Sequence, residues 1–342
     1  VTGREVAVII VTYGRRWHLL QQVVDALERD HPDVRDVIVV DNCSSQDLKT
    51  GISRYHRLNI RIVELSENTG SAKGFRVGIE TALRQTAAPF LWLLDDDNQP
   101  QPQSLKILLQ TFSLLGNEPD NVLLSLRKNR REFVNAARHG RRVAIRENSF
   151  HGFHWRTLHR KALRYFRQSD DDSSPKGYSF PVTEVGYAPY GGLFMHRCWI
   201  EKIGLPDERF FLYADDHEFT SRIVDQGGRI FLCALSEVRD LEDSCHWGQQ
   251  RSSHLLSSTF NEDQLYLSVR NRVFLETRRF VTCRSIYVLN IFGCLGALFV
   301  LEVLSGCNLR ELIKRLRTVV RALWAGWRGR LGAAPGWQAR HG

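Results

Sequence analysis

Three consecutive carboxylates, Asp95-Asp96-Asp97, follow the apolar run Phe90-Leu-Trp-Leu-Leu94. Crowded carboxylates repel one another, and burial raises their pKa, so such a cluster is costly unless a cation offsets it. Magnesium and manganese favour oxygen ligands of this kind and bridge readily to diphosphate oxygens. On an extended segment alternate residues share a face. Asp95 and Asp97 are therefore placed to share one metal, with Asp96 pointing elsewhere. The plain alternative is a solvated acidic turn, which the preceding apolar run disfavours.

A second acidic cluster lies in Phe210-Phe-Leu-Tyr-Ala-Asp-Asp-His-Glu218. Asp215 and Asp216 open a helical pattern, and Glu218 follows about one turn on. A helix N-terminus favours ionised carboxylates, which suits a general base. Helix capping accounts for one of these acids but poorly for all three. Asp41 ends the apolar run Val37-Ile-Val-Val40; a carboxylate there can accept from a nucleobase N–H or simply cap the next turn. The stretch Ser66-Glu-Asn-Thr-Gly-Ser-Ala-Lys-Gly74 is rich in small residues and leads into a helix, allowing close backbone approach to a ligand. It lacks the G-K-[ST] ending of a P-loop. His246, in Cys245-His-Trp-Gly248, is a lone histidine far along the chain and by itself more often structural than a ligand.

The elements that must position these groups follow from periodicity. Short apolar strands at Val6–Thr12, Val37–Val40, Ile60–Leu65 and Phe90–Leu94 alternate with helical patterns at Leu19–Leu27 and Phe75–Leu83. That alternation predicts an α/β fold with a mostly parallel sheet covered by helices on both faces. Ligands in such sheets sit beyond the C-terminal strand ends, where Thr12, Asp41, Ser66–Gly74 and Asp95–Asp97 fall. Further on, Gly191–His196 reads as a strand, Trp199–Ile203 as a short helix, and Leu265–Phe280 as a helix with a basic face. The expected division is a nucleotide-binding half (1–126), a basic insertion (127–181), an acceptor-binding and catalytic half (182–260), and a C-terminal helical region with a basic tail (261–342).

The chain has 342 residues and a net charge of +9, with ordinary globular proportions of hydrophobic and charged residues. The excess charge is local. From Asn308 onward the basic residues are Arg310, Lys314, Arg315, Arg317, Arg321, Arg328, Arg330 and Arg340, against Glu311 alone. Localised charge points to a localised partner, such as anionic lipid or a phosphate-bearing substrate. Ile286–Leu301 is strongly apolar but falls slightly short of the roughly 20 residues of a comfortable membrane span. With the basic run after it, the region reads as an interfacial segment; a hairpin packed on the domain and a true span are the alternatives. Seven scattered cysteines without a C-x-x-C pair exclude a disulfide framework or structural zinc site. They fit reduced thiols in the cytoplasm, as does the lack of a signal-peptide pattern before Val6.

Taken in order, these motifs resemble family 2 glycosyltransferases with the GT-A fold. The likeness rests on Val11-Thr12-Tyr13, Val39-Val40-Asp41-Asn42, Asn68-x-Gly70-x-Ala72-x-Gly74, Asp95-Asp96-Asp97, Gly191-Gly192 and Ala214-Asp215-Asp216-x-Glu218, spanning roughly residues 5 to 280. The resemblance implies an inverting transferase that uses a divalent metal, Mn2+ or Mg2+. Its donor would be a UDP- or dTDP-sugar, and its acceptor a glycan or polyprenyl-linked glycan of the cell envelope. It implies donor contacts from Thr12, Tyr13, Asp41, Asn68, Gly70, Lys73 and Asp96. It implies metal ligands at Asp95, Asp97 and His246, a catalytic base at Asp216, and acceptor contacts from Asp215, Glu218, Gly191, Gly192 and Trp247. Within the family, Gly70-Ser-Ala-Lys-Gly-Phe75, the triple Asp, Asp-Asp-x-Glu and His246 look most like galactofuranosyltransferases, with rhamnosyltransferases close behind. Gly14 and Arg15 stand where Asn-Arg commonly follows the Tyr, Arg76 stands where Asn is common, and 127–181 matches no family pattern. Peripheral contact at the inner face of the cell membrane completes the expectation.

Two other functions are weighed against this. A nucleotidyltransferase would want a Gly-rich, basic loop directly after the first strand, where Thr12-Tyr-Gly-Arg-Arg16 stands. A nucleic-acid-binding protein would use the positive charge and the Arg/His/aromatic stretch of the insertion, but acids crowd the expected ligand edge and would repel phosphate. No nucleic-acid partner is expected.

Overall fold

A computed structural model describes residues 5–157, 177–242, 255 and 261–337. Four strands, β1 (Val6–Gly14), β2 (Val34–Ser44), β3 (Asn59–Glu64) and β4 (Phe90–Asp95), form the parallel part of one sheet. Helices α1 (Trp17–Asp30), α2 (Leu48–Ile52) and α3 (Gly70–Gln85) make the crossovers between them. Strand β1 is buried on both faces, and its alternation divides the core. Ala7, Ile9 and Val11 pack with Phe75 and Ile79 of α3, while Val6, Val8 and Ile10 pack with Leu20, Val23 and Leu27 of α1. That two-sided burial is why these strands read as continuous apolar runs.

Beyond β4 the sheet is mixed rather than mostly parallel. The later elements are β5 (Asn98–Pro100), α4 (Ser104–Leu114), β6 (Asn121–Leu126), α5 (Arg131–His139), β7 (Val182–Val185), β8 (Leu193–His196), α6 (Cys198–Ile203), α7 (Asp215–Asp225) and β9 (Arg229–Asp240). Among the described residues the strand order is β3-β2-β1-β4-β8-β6-β9-β5, with β7 also on β9. Strand β8 runs antiparallel to both β4 and β6. The reversal follows from the chain entering β8 through the Gly191-Gly192 turn, where Gly192 N donates to Leu93 O at 2.8 Å. Strand β9 pairs parallel with β6 through Arg229–Cys233 and then leaves to meet β5 at Val238–Asp240.

The C-terminal region is helical: α8 (Glu262–Arg279), α9 (Arg284–Leu304) and α10 (Leu309–Trp327). Helix α8 opens on a capping box, with Asn261 accepting from Gln264 N and Gln264 Oε1 accepting from Asn261 N. Leu265, Val269 and Val273 of α8, Ile291 and Leu298 of α9, and Leu312 and Val319 of α10 share one core with Phe150 and Phe153. Helix α9 has 21 residues, so it is long enough to span, contrary to the expectation from Ile286–Leu301. The helix simply extends through Arg284 at one end and past Glu302 at the other. Asn290, which interrupts its apolar run, is fully buried: its Nδ2 donates to Asn148 O at 2.7 Å and its Oδ1 accepts from Trp155 N at 2.9 Å.

Candidate functional site

Sheet register brings the first three candidates together. Val11 of β1 stands opposite Asp95 of β4, and Thr12 stands opposite Asp41 of β2. All lie at the C-terminal edge of the parallel strands, where open α/β sheets bind ligands. Tyr13 is 48% exposed there, with the Arg16 guanidinium 5.1 Å from its ring centroid. An exposed ring at that edge offers a flat apolar face for a base.

Thr12 is tied to the triple aspartate. Its side chain is buried, and its Oγ1 donates to Asp96 Oδ2 at 2.7 Å, so the hydroxyl positions a carboxylate rather than facing open space. Asp96 is also held by Arg16 Nε at 2.9 Å, and burial, opposed by Arg16 and Thr12, moves its pKa up to about 6. Arg16 further reaches Asp97 Oδ2 at 3.6 Å and Glu242 Oε2 at 2.5 Å. Asp97 is buried, and that burial, with the charge of Asp95 beside it, moves its pKa up to about 7.

Asp95 sits in a cleft. Its side chain keeps 39% of its exposure, yet enclosure by the walls raises its carboxyl above the usual range. Arg127 opposes that rise, while Asp240 and Asp216 add to it. Arg127 is fully buried, 2.7 Å from Asp240 Oδ1 and 3.6 Å from Asp95 Oδ2. Asp240 also accepts from Asn98 Nδ2 at 2.9 Å and from Asn129. Gly191 is packed into this cluster: a Cβ there would lie 2.0 Å from Asn98 Oδ1 and 2.9 Å from Asp95 Oδ2. Gly191 thus packs against the triple-aspartate loop, where a side chain would not fit.

Asp216 enters from α7. The turn before it holds Phe211, Tyr213 and Ala214 at φ of 66°, 74° and 61°, a left-handed region costly for non-glycine residues. Asn271 of α8 pins that turn. Its Nδ2 lies 2.7 Å from Phe210 O, 2.7 Å from Leu212 O and 2.9 Å from Tyr213 O. Asp216 stays partly accessible, whereas Asp215 is buried and accepts from Ser71 Oγ at 3.0 Å. Burial first, then Asp216, raises the Asp215 carboxyl well above the usual range. Asp215 therefore ties α7 to α3. Glu218 is likewise engaged, with Arg222 at 3.2 Å and Arg279 at 3.4 Å. His217 is moved down to about 4 by burial and is neutral. Arg272 Nη1 lies 3.1 Å from its Nδ1. A guanidinium only donates, so Nδ1 accepts and the ring proton sits on Nε2, 3.9 Å from Asp216 Oδ1.

The small-residue stretch is consumed by packing. Helix α3 starts at Gly70, so half of the expected loop is helix. Gly70 has φ +78°, and a Cβ there would lie 2.0 Å from Phe211 O; at Gly74 one would meet Val11 at 2.6 Å. The glycines let α3 press on β1 and on the turn before α7. Asn68 Oδ1 accepts from Gly70 N at 3.0 Å and from Asn42 Nδ2 at 3.2 Å, which fixes the chain just before α3. Asp41 accepts from Ser44 N at 2.6 Å and Ser44 Oγ at 2.9 Å, the turn-capping role. Lys73, by contrast, makes no hydrogen bond or ion pair among the described residues and stands half-buried on the first turn of α3. His246 and Trp247 lie outside the described residues.

With Asp95 and Asp216 on one cleft, comparison with known proteins decides the family. The family model for glycosyl transferase family 2 matches residues 7–183. The chain belongs to glycosyl transferase family 2. This family 2 glycosyltransferase is 28% identical over 240 residues to the galactofuranosyltransferase GlfT1 of Mycolicibacterium smegmatis, covering 66% of this chain and 68% of that protein. Two solved structures share its fold. TarS of S. aureus, solved with UDP-GlcNAc, has TM-score 0.52 at 15% identity, over 93% of this chain and 81% of that one. The mannosyltransferase PcManGT of Pyrobaculum calidifontis, solved with GDP-Man and Mn2+, has TM-score 0.50 at 16% identity, over 96% and 88%. The expected GT-A fold is thereby found, and a nucleotidyltransferase is not the family.

Sequence reasoning passed over several residues of this family 2 site. Arg16, Arg127 and Asp240 lie outside the recognised motifs, yet their side chains hold the acidic cluster together. Asp240 ends β9, a strand-end signal that could have drawn attention to it. Nothing local marks Asn271, since its role depends on α8 lying against the turn of α7.

Proposed function

We propose that the chain is an inverting glycosyltransferase. It moves a sugar from a UDP- or dTDP-sugar onto a hydroxyl of a glycan or polyprenyl-linked glycan, in cell-surface polysaccharide synthesis at the inner face of the cell membrane. One observation carries the reading: Ser71 of α3 bonds Asp215, the neighbour of Asp216, at 3.0 Å while Gly74 of the same helix packs on Val11, the strand partner of Asp95, so carboxylates about 120 positions apart share one strand-end edge. The similarity to a galactofuranosyltransferase favours galactofuranose as the sugar, with rhamnose second.

Asp95 and Asp97 fit a hard divalent cation. Their donors are carboxylate oxygens, and Asp97 is buried among like charges that a cation would relieve. Among the described residues no three His, Cys, Asp or Glu side chains form a complete set, so diphosphate oxygens and water would fill the remaining positions. Bound there, Mn2+ or Mg2+ would offset the charge of the leaving nucleoside diphosphate. Tyr13 is the base platform, Lys73 a cation facing the phosphates, and Asp96, fixed by Thr12 and Arg16, the group for ribose or sugar hydroxyls. Asp216 accepts the proton of the acceptor hydroxyl as that oxygen attacks the anomeric carbon. The bond to diphosphate breaks on the opposite face, so the product is inverted and no enzyme nucleophile is needed. His217 Nε2 stands 3.9 Å from Asp216 Oδ1, away from the reacting hydroxyl's proton only if that proton reaches the other oxygen, Oδ2.

The test is Asp216→Asn. Calorimetric titration with UDP-galactofuranose and other nucleotide-sugars should show chelator-sensitive binding that the variant keeps, while transfer falls about 100-fold or more. Transfer at the normal rate would remove Asp216 from the base role. Asp97→Ala should lose the metal dependence of donor binding, and unchanged metal affinity would count against that site.

A further inference from the structure

We propose that α9 and α10 seat this protein in the plane of an anionic membrane surface, with α9 lying along the bilayer rather than crossing it. The inference rests on helix faces and stands apart from the transferase reading.

Helix α10 is two-sided. Leu312, Val319, Ala322 and Gly326 are buried, and a Cβ at Gly326 would lie 2.3 Å from Arg270 O, so α10 lies close along α8. Its outer side carries exposed Leu309, Ile313, Val320, Trp324 and Trp327. Beside them stand exposed Arg310, Arg317, Arg321 and Arg328. At about 3.6 residues per turn the apolar set falls within an arc of about 60° and the basic set within the adjoining arc of about 40°. None of these four arginines has an ion pair among the described residues, and Arg328 stacks on Trp324 with 4.2 Å between its Cζ and a ring centroid. Glu311 points about 100° away from the basic arc and is paired to Arg315 at 3.3 Å. An apolar stripe bordered by unneutralised cations complements acyl chains bordered by anionic headgroups. A protein partner would have to supply an acidic rim around an apolar groove, which a bilayer supplies without design.

Helix α9 fixes the geometry. Its buried stripe, Tyr287, Asn290, Ile291, Cys294 and Leu298, packs on the domain. The opposite side exposes Leu289, Phe292 (71%), Val300, Val303 and Leu304 (78%). The docked stripe covers about 16 Å of helix length and is bonded to polar groups of the domain. Tyr287 Oη donates to Glu276 Oε2 at 2.9 Å, and Asn290 bonds the loop at Asn148 and Trp155. A crossing α9 would carry that loop, with Glu276 and Arg272, into hydrocarbon that does not tolerate irregular backbone or charge. Lying in the plane, α9 wets only its exposed apolar side.

The test is flotation of the full chain with phosphatidylcholine vesicles, with and without phosphatidylglycerol. Binding is expected to favour phosphatidylglycerol, to weaken with salt, and to be stripped by alkaline carbonate. Each lost basic charge is worth about fivefold in affinity, so R317E/R321E should bind phosphatidylglycerol vesicles at least about 25-fold more weakly. V320D/W324A should bind both vesicle types less. All four positions are exposed, and unchanged melting curves would show that the variants fold. Absence of binding by the parent chain, parent-like binding by both folded variants, or resistance to carbonate would each overturn the proposal. So would a solution dimer that V320D/W324A dissociates, since the face would then join two copies.

Discussion

Arg16 shows how much of this site depends on side chains that do no chemistry themselves. One guanidinium reaches Asp96, Asp97 and Glu242 and lies against the Tyr13 ring. It thereby holds the donor end of the cleft in one arrangement. Hydrogen bonds to charged groups contribute about 1.5–3 kcal/mol, so Arg16→Ala should weaken nucleotide-sugar binding about 10- to 100-fold, read by titration in the presence of Mn2+. Unchanged donor affinity would reduce the clamp to a structural feature. The carboxylates were legible because acids after an apolar strand are rare without a purpose. Their partners were not, because a buried arginine such as Arg127 looks like any other basic residue in one dimension. Thr12 and Asp215 stood out as motif members, and their hydrogen bonds to Asp96 and Ser71 were not readable from the motifs.

At the scale of elements, Asp216, the proposed base, is delivered by a turn that the backbone disfavours and another helix imposes. Three non-glycine residues with positive φ precede α7, and Asn271 of α8 sits among the carbonyls of that turn. Phe210 O keeps Arg270 Nη2 as a donor, but losing this amide takes the donor from the part-buried carbonyls of Leu212 and Tyr213, each costing about 1–3 kcal/mol. Asn271→Ala should therefore lower stability by about 3 kcal/mol and reduce kcat more than it raises KM, because Asp216 loses its fixed position while the donor side is untouched. Denaturation midpoints and steady-state rates check both parts; a stable variant with normal kcat would show that the turn holds itself. The strands and helices around the sheet were readable from period alone. The glycines at 70 and 74 read as ligand-approach residues, and their missing side chains also let α3 pack on β1 and on the turn before α7, a use that sequence alone does not separate from the first. The reversed strand β8 was hidden because a four-residue apolar run carries no sign of its direction.

For the whole molecule, pH acts through groups far from the cleft as well as within it. His31 is buried edge-on to Trp92, with ring centroids 5.6 Å apart, and burial moves its pKa down to about 4 from the ordinary 6.5. The folded ring stays neutral where the unfolded one takes a proton. Its contribution is intact above pH 6.5 and is lost as pH falls toward 4, about 3 kcal/mol in all. Urea midpoints should fall over that window, and His31→Leu should flatten part of the fall; an unaltered slope would mean that other groups dominate. The architecture as a family 2 domain with a helical C-terminal region was largely legible, since ordered motifs fix a fold more firmly than any one of them. What α9 and α10 do was not, because an apolar run of that length suits a span, a core or a surface equally until its docked stripe is known. The central claim is that a cation-held diphosphate at Asp95 and Asp97 faces Asp216 across one sugar ring. Anomalous diffraction from crystals grown with Mn2+ and UDP tests it most directly. The metal should lie on the carboxylates of Asp95 and Asp97, with the diphosphate between it and the side of the cleft where Asp216 stands. Manganese or diphosphate bound away from those aspartates, or Asp216 on the far side of the sheet from them, would contradict it.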